Sequence, residues 1–401
     1  MLGLTRIFIS VFCVVSRCAF DTVLGVSLPT HVFKERSDYS SNRSDIEKQD
    51  RAAHDHPHEV VFVIRQKNMD ELTSILHDIS DPHSLNYGQH WTRDEVIDFT
   101  SNGEGRDAVV SYLHMNGASV VAETLAGEYI TAKASIKVWE KMFNTKFFSF
   151  VLTHRDKSIQ TVIRAEHYSI PTDLNKHVAS VFNTVEILDQ LFKSRSAVPL
   201  NPKHGKFSPS EFVNITPSRL RAYYNMSRAM GSINSTQAVY LTSGQYYSPK
   251  DLSTLQELAG LGIMPAVSQY GDHANDTICL DSPNSCGEGN LDMQYITTMS
   301  PMSPTTFWYV VGSLTAWLKT VADTMNPPKV ISISYTFSVS GKTASSNDAF
   351  TAQAIKLGTM GVTIVVAAGD HGAGRADTCG YNAAFPASSP YVLSVGGTTV
   401  S

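Results

Sequence analysis

The sequence predicts an α/β domain with a mostly parallel sheet, preceded by a smaller α+β domain. In the second half of the chain, apolar runs alternate with amphipathic helices, as in a parallel sheet covered on both faces. Residues 59–192 instead mix alternating strands with short helices. Between these regions, residues 193–210 are basic and rich in proline, serine and glycine, which predicts an exposed linker with a proteolytic processing site.

Length and composition limit the possible functions. The 401 residues suffice for two or three domains, and 42% hydrophobic with 17% charged residues is typical of a globular protein. The formal net charge of -5 argues against nucleic acid as the main partner.

The N-terminus predicts a cleaved secretory signal over residues 1–20. Arg6 precedes an apolar run at 7–15, and Ala19 follows it. The run is shorter than the roughly 18 apolar residues that a membrane span needs, and no later segment reaches that length, so we expect no stable span. An N-terminal anchor is the alternative. Five glycosylation sequons also fit a secreted or lysosomal (vacuolar) protein: Asn42, Asn214, Asn225, Asn234 and Asn275.

Residues 21–58 are polar and charged, and we expect a linker there. His54, His56 and His58 form a possible metal-binding cluster at its end. Because no cysteine accompanies them, the linker interpretation is favoured.

The elements of the first domain, a small α+β domain at residues 59–192, follow in order from residue 59. Thr92 and Glu95 form a capping box at the start of a helix, and Gly117 is typical of a helix C-terminus. The patterns predict strands at 59–66, 118–123, 128–134 and 147–152, and helices at 69–80, 92–99, 105–117 and 136–143. No combination of acid, base and nucleophile is recognisable among them.

The second domain, residues 211–401, repeats a strand-then-helix order. Predicted strands lie at 238–244, 307–312, 330–335 and 362–370, and predicted helices at 248–260, at 313–325 and before Gly358. Chemistry in such sheets collects at the carboxyl ends of the strands. Asp370 lies at one of those ends.

Glu288 and Asp292 are four residues apart on a predicted helix. A 3.6-residue period places both acids in one arc with Leu291, Tyr295 and Met299. A carboxylate in an apolar stripe is costly unless it has a partner, and two like charges at this spacing repel. Two interpretations stay open on the pattern alone: a solvated pair on a surface helix, or a functional pair in a cleft.

Asp370 lies in the glycine-rich turn Val365–Gly374. A phosphate or dinucleotide loop is disfavoured, because the spacing is not G-x-G-x-x-G and no Walker lysine follows. Capping of the turn by the carboxylate and a catalytic role are equally compatible with the residues.

Seven segments in a consistent order resemble the sedolisin, or serine-carboxyl peptidase, family, whose members include tripeptidyl peptidases with a pro-kumamolisin-type propeptide. The resemblance implies a subtilisin-like α/β catalytic domain, and an α+β propeptide that folds over the active-site cleft until it is cleaved in acid. The segments are DPHSLNYGQHWTRDEV, ITPSRLRAYYNM, GQYYSPKDL, EGNLDMQY, VISISY, AAGDHGAG and FPASSPYVLSVGGTT.

The resemblance implies a role for each acid. Glu288 would accept the proton of a serine hydroxyl, Asp292 would hydrogen-bond Glu288 and set its proton affinity, and Asp370 would donate a hydrogen bond to the oxyanion while protonated. Two close carboxylates retain one proton between them, which suits acidic conditions where histidine is protonated and useless as a base.

Two departures from the family pattern matter. His371 stands where the family usually has serine, and an imidazolium there would favour ionised Asp370. The family's nucleophilic serine follows in a Gly-Thr-Ser segment beyond the point matched by the last motif, with a calcium site further on. Because the sequence ends at Ser401, we expect an incomplete catalytic domain that lacks its nucleophile and is inactive. No metal ligand is assigned in this chain.

The cysteines fit the same expectation. Removal of the signal leaves three of the five, an odd number. Cys279 and Cys286 can pair with each other, and by the resemblance Cys379 is the counterpart of a cysteine that bonds a partner near the C-terminus.

The expected function is peptide-bond hydrolysis on peptide or protein substrates, with the propeptide as intramolecular inhibitor. Tripeptide release and internal cleavage both stay open. The alternative is a noncatalytic protein, either a pseudopeptidase or a propeptide-like inhibitor that binds peptides or a full-length relative.

Overall fold

Antiparallel sheets form the first half of the chain and a parallel sheet forms the second, in a computed structural model. The structure describes residues 30–37, 46–153, 159–187, 215–226, 230–242, 244–262, 268–310, 314–335, 337–338, 344–369 and 384–398. Several predicted features lie outside these residues: the signal segment, the linker at 193–210, Asp370, His371 and Cys379.

The first region, residues 30–187, contains three antiparallel sheets. Their strand orders are β4-β5-β3-β9, β2-β6-β7 and β1-β8. The strands are β1 (His31–Arg36), β2 (Ile46–Arg51), β3 (Pro57–Ile64), β4 (Ser119–Glu123), β5 (Tyr129–Ser135), β6 (Phe147–Thr153), β7 (Ile159–Ala165), β8 (His167–Pro171) and β9 (Val178–Phe182). The helices are α1 (Met69–Ser80), α2 (Arg93–Thr100), α3 (Gly103–Met115), α4 (Ile136–Phe143) and α5 (Thr172–Asn175).

The segment expected to be a polar linker at 21–58 is partly structured. Within it, β1 pairs with β8 and β2 pairs with β6, both antiparallel. Both strands are polar and lie at sheet edges, so composition alone conceals them. His58 belongs to β3, and its Nε2 lies 2.8 Å from the Asn183 carbonyl oxygen. Burial lowers the pKa of His58 to about 4, which fits a core histidine.

Strand β3 is buried on both faces. Val60, Phe62 and Ile64 pack with α3 and α4 in the core of the first region. Val61 and Val63 point to the opposite face and pack with residues of the second region. The alternation of a strand thus divides β3 between two cores.

The second region, from residue 215, is built on a six-stranded parallel sheet with the order β11-β12-β10-β13-β15-β17. This confirms the predicted parallel-sheet α/β class. The strands are β10 (Gln237–Leu241), β11 (Ser268–Tyr270), β12 (Thr305–Tyr309), β13 (Val330–Ile333), β14 (Phe337–Ser338), β15 (Thr363–Ala367), β16 (Ala384–Phe385) and β17 (Leu393–Val395). The helices are α6 (Pro217–Tyr223), α7 (Pro249–Leu258), α8 (Asp276–Asp281), α9 (Gly287–Met299), α10 (Leu314–Asp323) and α11 (Ala344–Thr359).

One crossover in this sheet breaks the usual handedness rule. Helix α7 connects β10 to β11, and α9 leads back from β11 to β12 in the opposite direction across the sheet. Two right-handed crossovers in opposite directions lie on opposite faces, yet α7 and α9 pack against each other through Asn290 and Asp251. One of the two connections is therefore left-handed.

The two regions meet along α10 and α11. Helix α1 packs on α11, and Val61 and Val63 of β3 join the buried cluster that contains Trp317 and Val321 of α10. A buried ion pair joins Lys356 of α11 to Glu128 at 2.8 Å. Further hydrogen bonds cross the interface from Arg93 to the Ala322 carbonyl, from the Leu125 N–H to Asp323, from Lys319 to Thr131 and from the Trp91 N–H to the Thr359 carbonyl.

In the part of the chain that the structure describes, no helix has the length and apolar content required to cross a bilayer.

Candidate active site

The candidate site lies at the carboxyl edge of the parallel sheet. Strands β10, β13 and β15 are neighbours, so the residues that follow them share one edge. Ser334 follows β13 directly, and Gly369 follows β15 by two residues. Asp370 is the next residue in sequence, but it lies outside the described residues.

Helix α9 brings its acid pair to this edge. The Ser334 hydroxyl donates a hydrogen bond to Asp292 Oδ1 at 2.9 Å. Asp292 Oδ2 is buried and has no hydrogen-bond partner among the described residues. Glu288 lies one turn earlier on the same helix and is half-buried. The solvated surface pair is therefore the weaker of the two interpretations of this spacing.

The environment of Asp292 favours its protonated form. Burial and, to a smaller extent, the nearby charge of Glu288 raise the pKa of Asp292, the Ser334 hydrogen bond lowers it, and the net result is a pKa of about 8. Because Oδ1 already accepts from Ser334, Oδ2 is the oxygen that can carry the proton. Asp292 is thus a neutral acid through the acidic and neutral range, next to a second carboxyl group.

The buried face of α9 differs from the face expected from its sequence. Gly289, Met293 and Thr297, four apart, turn inward together with Thr298, whereas Leu291 is 52% exposed. The expectation that Leu291 lies in the buried stripe with the acids is wrong. Gly289 explains the difference, because a Cβ there would lie 2.2 Å from the Tyr246 carbonyl oxygen. The helix rotates to place its smallest residue against this backbone, which a count of apolar side chains does not register.

A disulfide precedes the acid pair. Cys279 in α8 and Cys286, the residue before α9, are bonded, which confirms the pairing left open by the sequence. Cys379 lies outside the described residues.

An aromatic stack stands beside the start of α9. The His273 ring lies between Tyr246, with 4.3 Å between ring centroids, and Tyr309, with 3.4 Å. Tyr246 also supplies the carbonyl that contacts Gly289. Sequence reasoning missed His273, since it lies in an irregular loop. It also missed Ser334, although a hydroxyl directly after a buried strand of a parallel sheet is a usable signal.

Comparison with known proteins shows what the chain is similar to. Residues 44–187 match the family described as "Pro-kumamolisin, activation domain". Tripeptidyl-peptidase 1 of Dictyostelium discoideum is 29% identical over 382 residues, which cover 84% of this chain and 61% of that protein. Physarolisin of Physarum polycephalum is 28% identical over 385 residues, which cover 90% of this chain and 63% of that protein.

The chain therefore contains a segment that matches a pro-kumamolisin activation domain, and over most of its length it is similar to tripeptidyl-peptidase 1 and physarolisin. It spans a little over three fifths of the length of these two relatives. A solved structure of a Pseudomonas sedolisin, complexed with pseudo-iodotyrostatin, aligns with 46% of this chain and 54% of that chain at 24% identity. Its TM-score of 0.37 is too low to support any argument about the fold.

In this chain, the described residues assemble part of the expected site. The structure brings together Glu288 and Asp292 and adds Ser334. Asp370 follows the neighbouring strand in sequence, and its side chain lies outside the described residues. Among the residues that the structure describes, no group of three or more His, Cys, Asp or Glu side chains is arranged to hold a metal ion.

Proposed function

We propose that this chain is the precursor of a serine-carboxyl peptidase that hydrolyses peptide bonds in acid. The observation that carries the proposal is the partly buried acid pair at the carboxyl edge of the sheet, with Asp292 held by Ser334 and its pKa raised to about 8. A neutral Asp292 leaves Glu288 as the carboxylate that accepts a proton from the attacking hydroxyl. The Dictyostelium discoideum relative is a peptidase by name, which supports this chemistry.

The remaining groups of the reaction are proposed from the family. Asp370, protonated, donates a hydrogen bond to the oxyanion of the tetrahedral intermediate. The nucleophilic serine is assigned to no residue here, because the 401 residues contain no Gly-Thr-Ser segment. We propose calcium for the complete catalytic domain, and we assign no ligand for it in this chain.

Regulation and location complete the proposal. Residues 44–187 act as the intramolecular inhibitor, and the substrates are peptides or proteins. The signal-like N-terminus and the sequons support passage through the secretory pathway to a lysosome-like compartment or the outside.

The decisive experiment compares the chain as given with a version extended through a Gly-Thr-Ser segment, if the transcript continues beyond codon 401. We expect hydrolysis of a peptide substrate at pH 4 only from the extended version. Glu288→Gln in that version should lower kcat by at least about a thousandfold, because the members of such a unit fail together. Glu257→Gln, at an exposed position on α7, is the matched control and should leave kcat unchanged.

Two outcomes would contradict this assignment. Hydrolysis by residues 1–401 that Glu288→Gln abolishes would place the nucleophile within this chain. A genuine stop at codon 401, with peptide binding and no hydrolysis, would favour the noncatalytic alternative.

A further inference from the structure

The first turn of α9 carries Glu288 but has no cap from its own sequence. Cys286 occupies the N-cap position, and no side-chain cap bond forms there because its sulfur is in the disulfide. The backbone N–H groups of a first helical turn need acceptors. Gln245, from the segment after β10, supplies one: its Oε1 accepts from the Glu288 N–H at 3.2 Å.

The same side chain also holds the loop before the helix. Gln245 Nε2 donates to the Asn284 carbonyl at 3.3 Å, and Asn284 lies in the loop closed by Cys279 and Cys286. The next residue, Tyr246, donates its N–H to the Ser285 carbonyl at 2.8 Å. Gln245 is 4% exposed, so water is poorly placed to replace these bonds.

We propose that Gln245 is a positioning residue for the acid pair. Gln245 caps α9 from outside the helix. Together with the disulfide-closed loop, it holds the first turn of α9 so that Glu288 stays on the same helical face as Asp292. This role deepens the proposed function and rests on it, because the proposed function is what makes Glu288 a base. Its test needs no hydrolysis, so the failure of one idea can be distinguished from the failure of the other.

The charged groups around Gln245 and the acid pair determine how a change in the titration of Asp292 is interpreted. Glu288 and Asp292 face Ser334 and Tyr335 at the end of β13. On the elements beside them, Asp251 accepts from Asn290, and Asp276 accepts from Ser248 and the Lys250 N–H. Gln245 is neutral and contacts the Glu288 backbone directly, so a change of charge there acts mainly on the acid pair.

The experiment follows the carboxyl carbon of Asp292 by NMR in the full 401-residue protein labelled with carbon-13 aspartate, with Asp292→Asn for assignment. In Gln245→Met, which keeps the volume and loses both bonds, we expect the apparent pKa of Asp292 to fall by about one unit as Glu288 moves away. Gln245→Glu keeps an acceptor and adds a like charge, so the apparent pKa should rise. The double variant Cys279→Ala/Cys286→Ala should shift it in the direction of Gln245→Met by less.

Gln256→Met is the matched control. Gln256 is also buried, and its Nε2 lies 3.4 Å from Thr297 Oγ1 near the opposite end of α9. Opposite shifts in the two Gln245 variants, with no shift in Gln256→Met, support the positioning role. An unchanged titration in Gln245→Met, or one equal to that of Gln256→Met in a protein with native circular dichroism, would overturn it. Absence of peptidase activity in the extended protein would contradict only the proposed function.

Discussion

Two buried carboxyl groups, one in each region of the molecule, respond to burial in opposite ways. Glu128, in the first region, is 3% exposed and pairs with Lys356 of α11. Burial alone would raise the pKa of Glu128, but the Lys356 charge and the hydrogen bonds from Lys356 and Gln353 outweigh it, and the pKa is lowered. Asp292, in the second region, faces another carboxyl group and a single hydroxyl, and its pKa rises to about 8.

The comparison shows that the partner, not the burial, decides the charge state. The interface uses an ionised carboxylate to hold two regions together, whereas the candidate active site keeps a proton on its carboxyl group. Acid therefore acts on them in opposite directions. A lowered pKa gives stability that is present above the unfolded pKa and lost as the pH falls, and a raised acid pKa gives the reverse.

Removal of the Lys356 charge should cause the largest loss of stability among the predicted substitutions. Lys356→Met leaves Glu128 buried without its ion-pair partner, and we expect a loss of about 3–5 kcal/mol in the free energy of unfolding at pH 7. Urea denaturation of the full chain, followed by circular dichroism and by amide exchange in β3 and α11, measures it.

The control for this prediction is Lys319→Met. Lys319 also crosses the interface, but it is partly exposed and contacts only the Thr131 hydroxyl at 3.3 Å, so a loss of less than about 1 kcal/mol is expected. Glu128→Met combined with Lys356→Met should recover much of the loss. Equal small losses in both single lysine variants would show that the ion pair does not hold the interface.

Asp292→Asn should produce the next largest effect, with the opposite pH dependence. The folded pKa of about 8 lies above the unfolded value near 3.9, so the folded state binds the extra proton and stability falls as the pH rises from about 4 to about 8. Asparagine removes this loss. We expect the variant to be more stable than the wild type by on the order of 2 kcal/mol at pH 8, a figure reduced for partial solvent access, and nearly equal at pH 4.

Unfolding curves at several pH values measure how stability falls as the pH rises, and Ser334→Ala tests the contribution of the hydrogen bond. The Ser334 hydrogen bond opposes the rise in the pKa of Asp292, so its loss should extend the fall in stability to higher pH. A wild-type stability that increases between pH 5 and pH 8, unchanged by Asp292→Asn, would contradict the protonated Asp292.

Gly289→Ala tests how closely α9 is fitted to the sheet edge. The added Cβ would meet the Tyr246 carbonyl oxygen, a backbone atom that cannot rotate away, and we expect a cost of about 1–3 kcal/mol. Gly287→Ala, two residues earlier with open space around its Cβ, should cost little. Gly358→Ala at the interface of the two regions meets only the Leu76 side chain, so its cost should be intermediate. Thermal unfolding of the three variants ranks them, and a harmless Gly289→Ala would exclude the close approach.

The features that the sequence could predict are local, and those that it could not predict depend on distant contacts. The strand-then-helix pattern of the parallel sheet and the capping box of α2 are visible in neighbouring residues, and both were predictable. The strands β1 and β2 are polar edge strands whose partners, β8 and β6, lie about a hundred residues away or more. Nothing in their composition distinguishes them from a linker.

The candidate site divides in the same way. The spacing of Glu288 and Asp292 is local and was visible at once, but the buried face of α9 depends on the Tyr246 backbone, and the cap of α9 comes from Gln245. Such contacts are set by tertiary structure, so a helical wheel cannot place them. The disulfide was among the possible pairings, and geometry alone selected it.

The smallest predicted effect compares the starts of two helices, α2 in the first region and α9 in the second. Helix α2 is capped by its own sequence, because the Thr92 hydroxyl accepts from the Glu95 N–H and the Glu95 carboxylate accepts from the Thr92 N–H. Thr92→Ala should lower the free energy of unfolding by about 1 kcal/mol, and Thr92→Ser should restore it. Because this cap is local, amide exchange should quicken at Glu95 while the titration of Asp292 stays unchanged. A shift in the Asp292 titration would show that the two regions are coupled through α2, and the separation between a locally capped helix and one capped by a distant side chain would then fail.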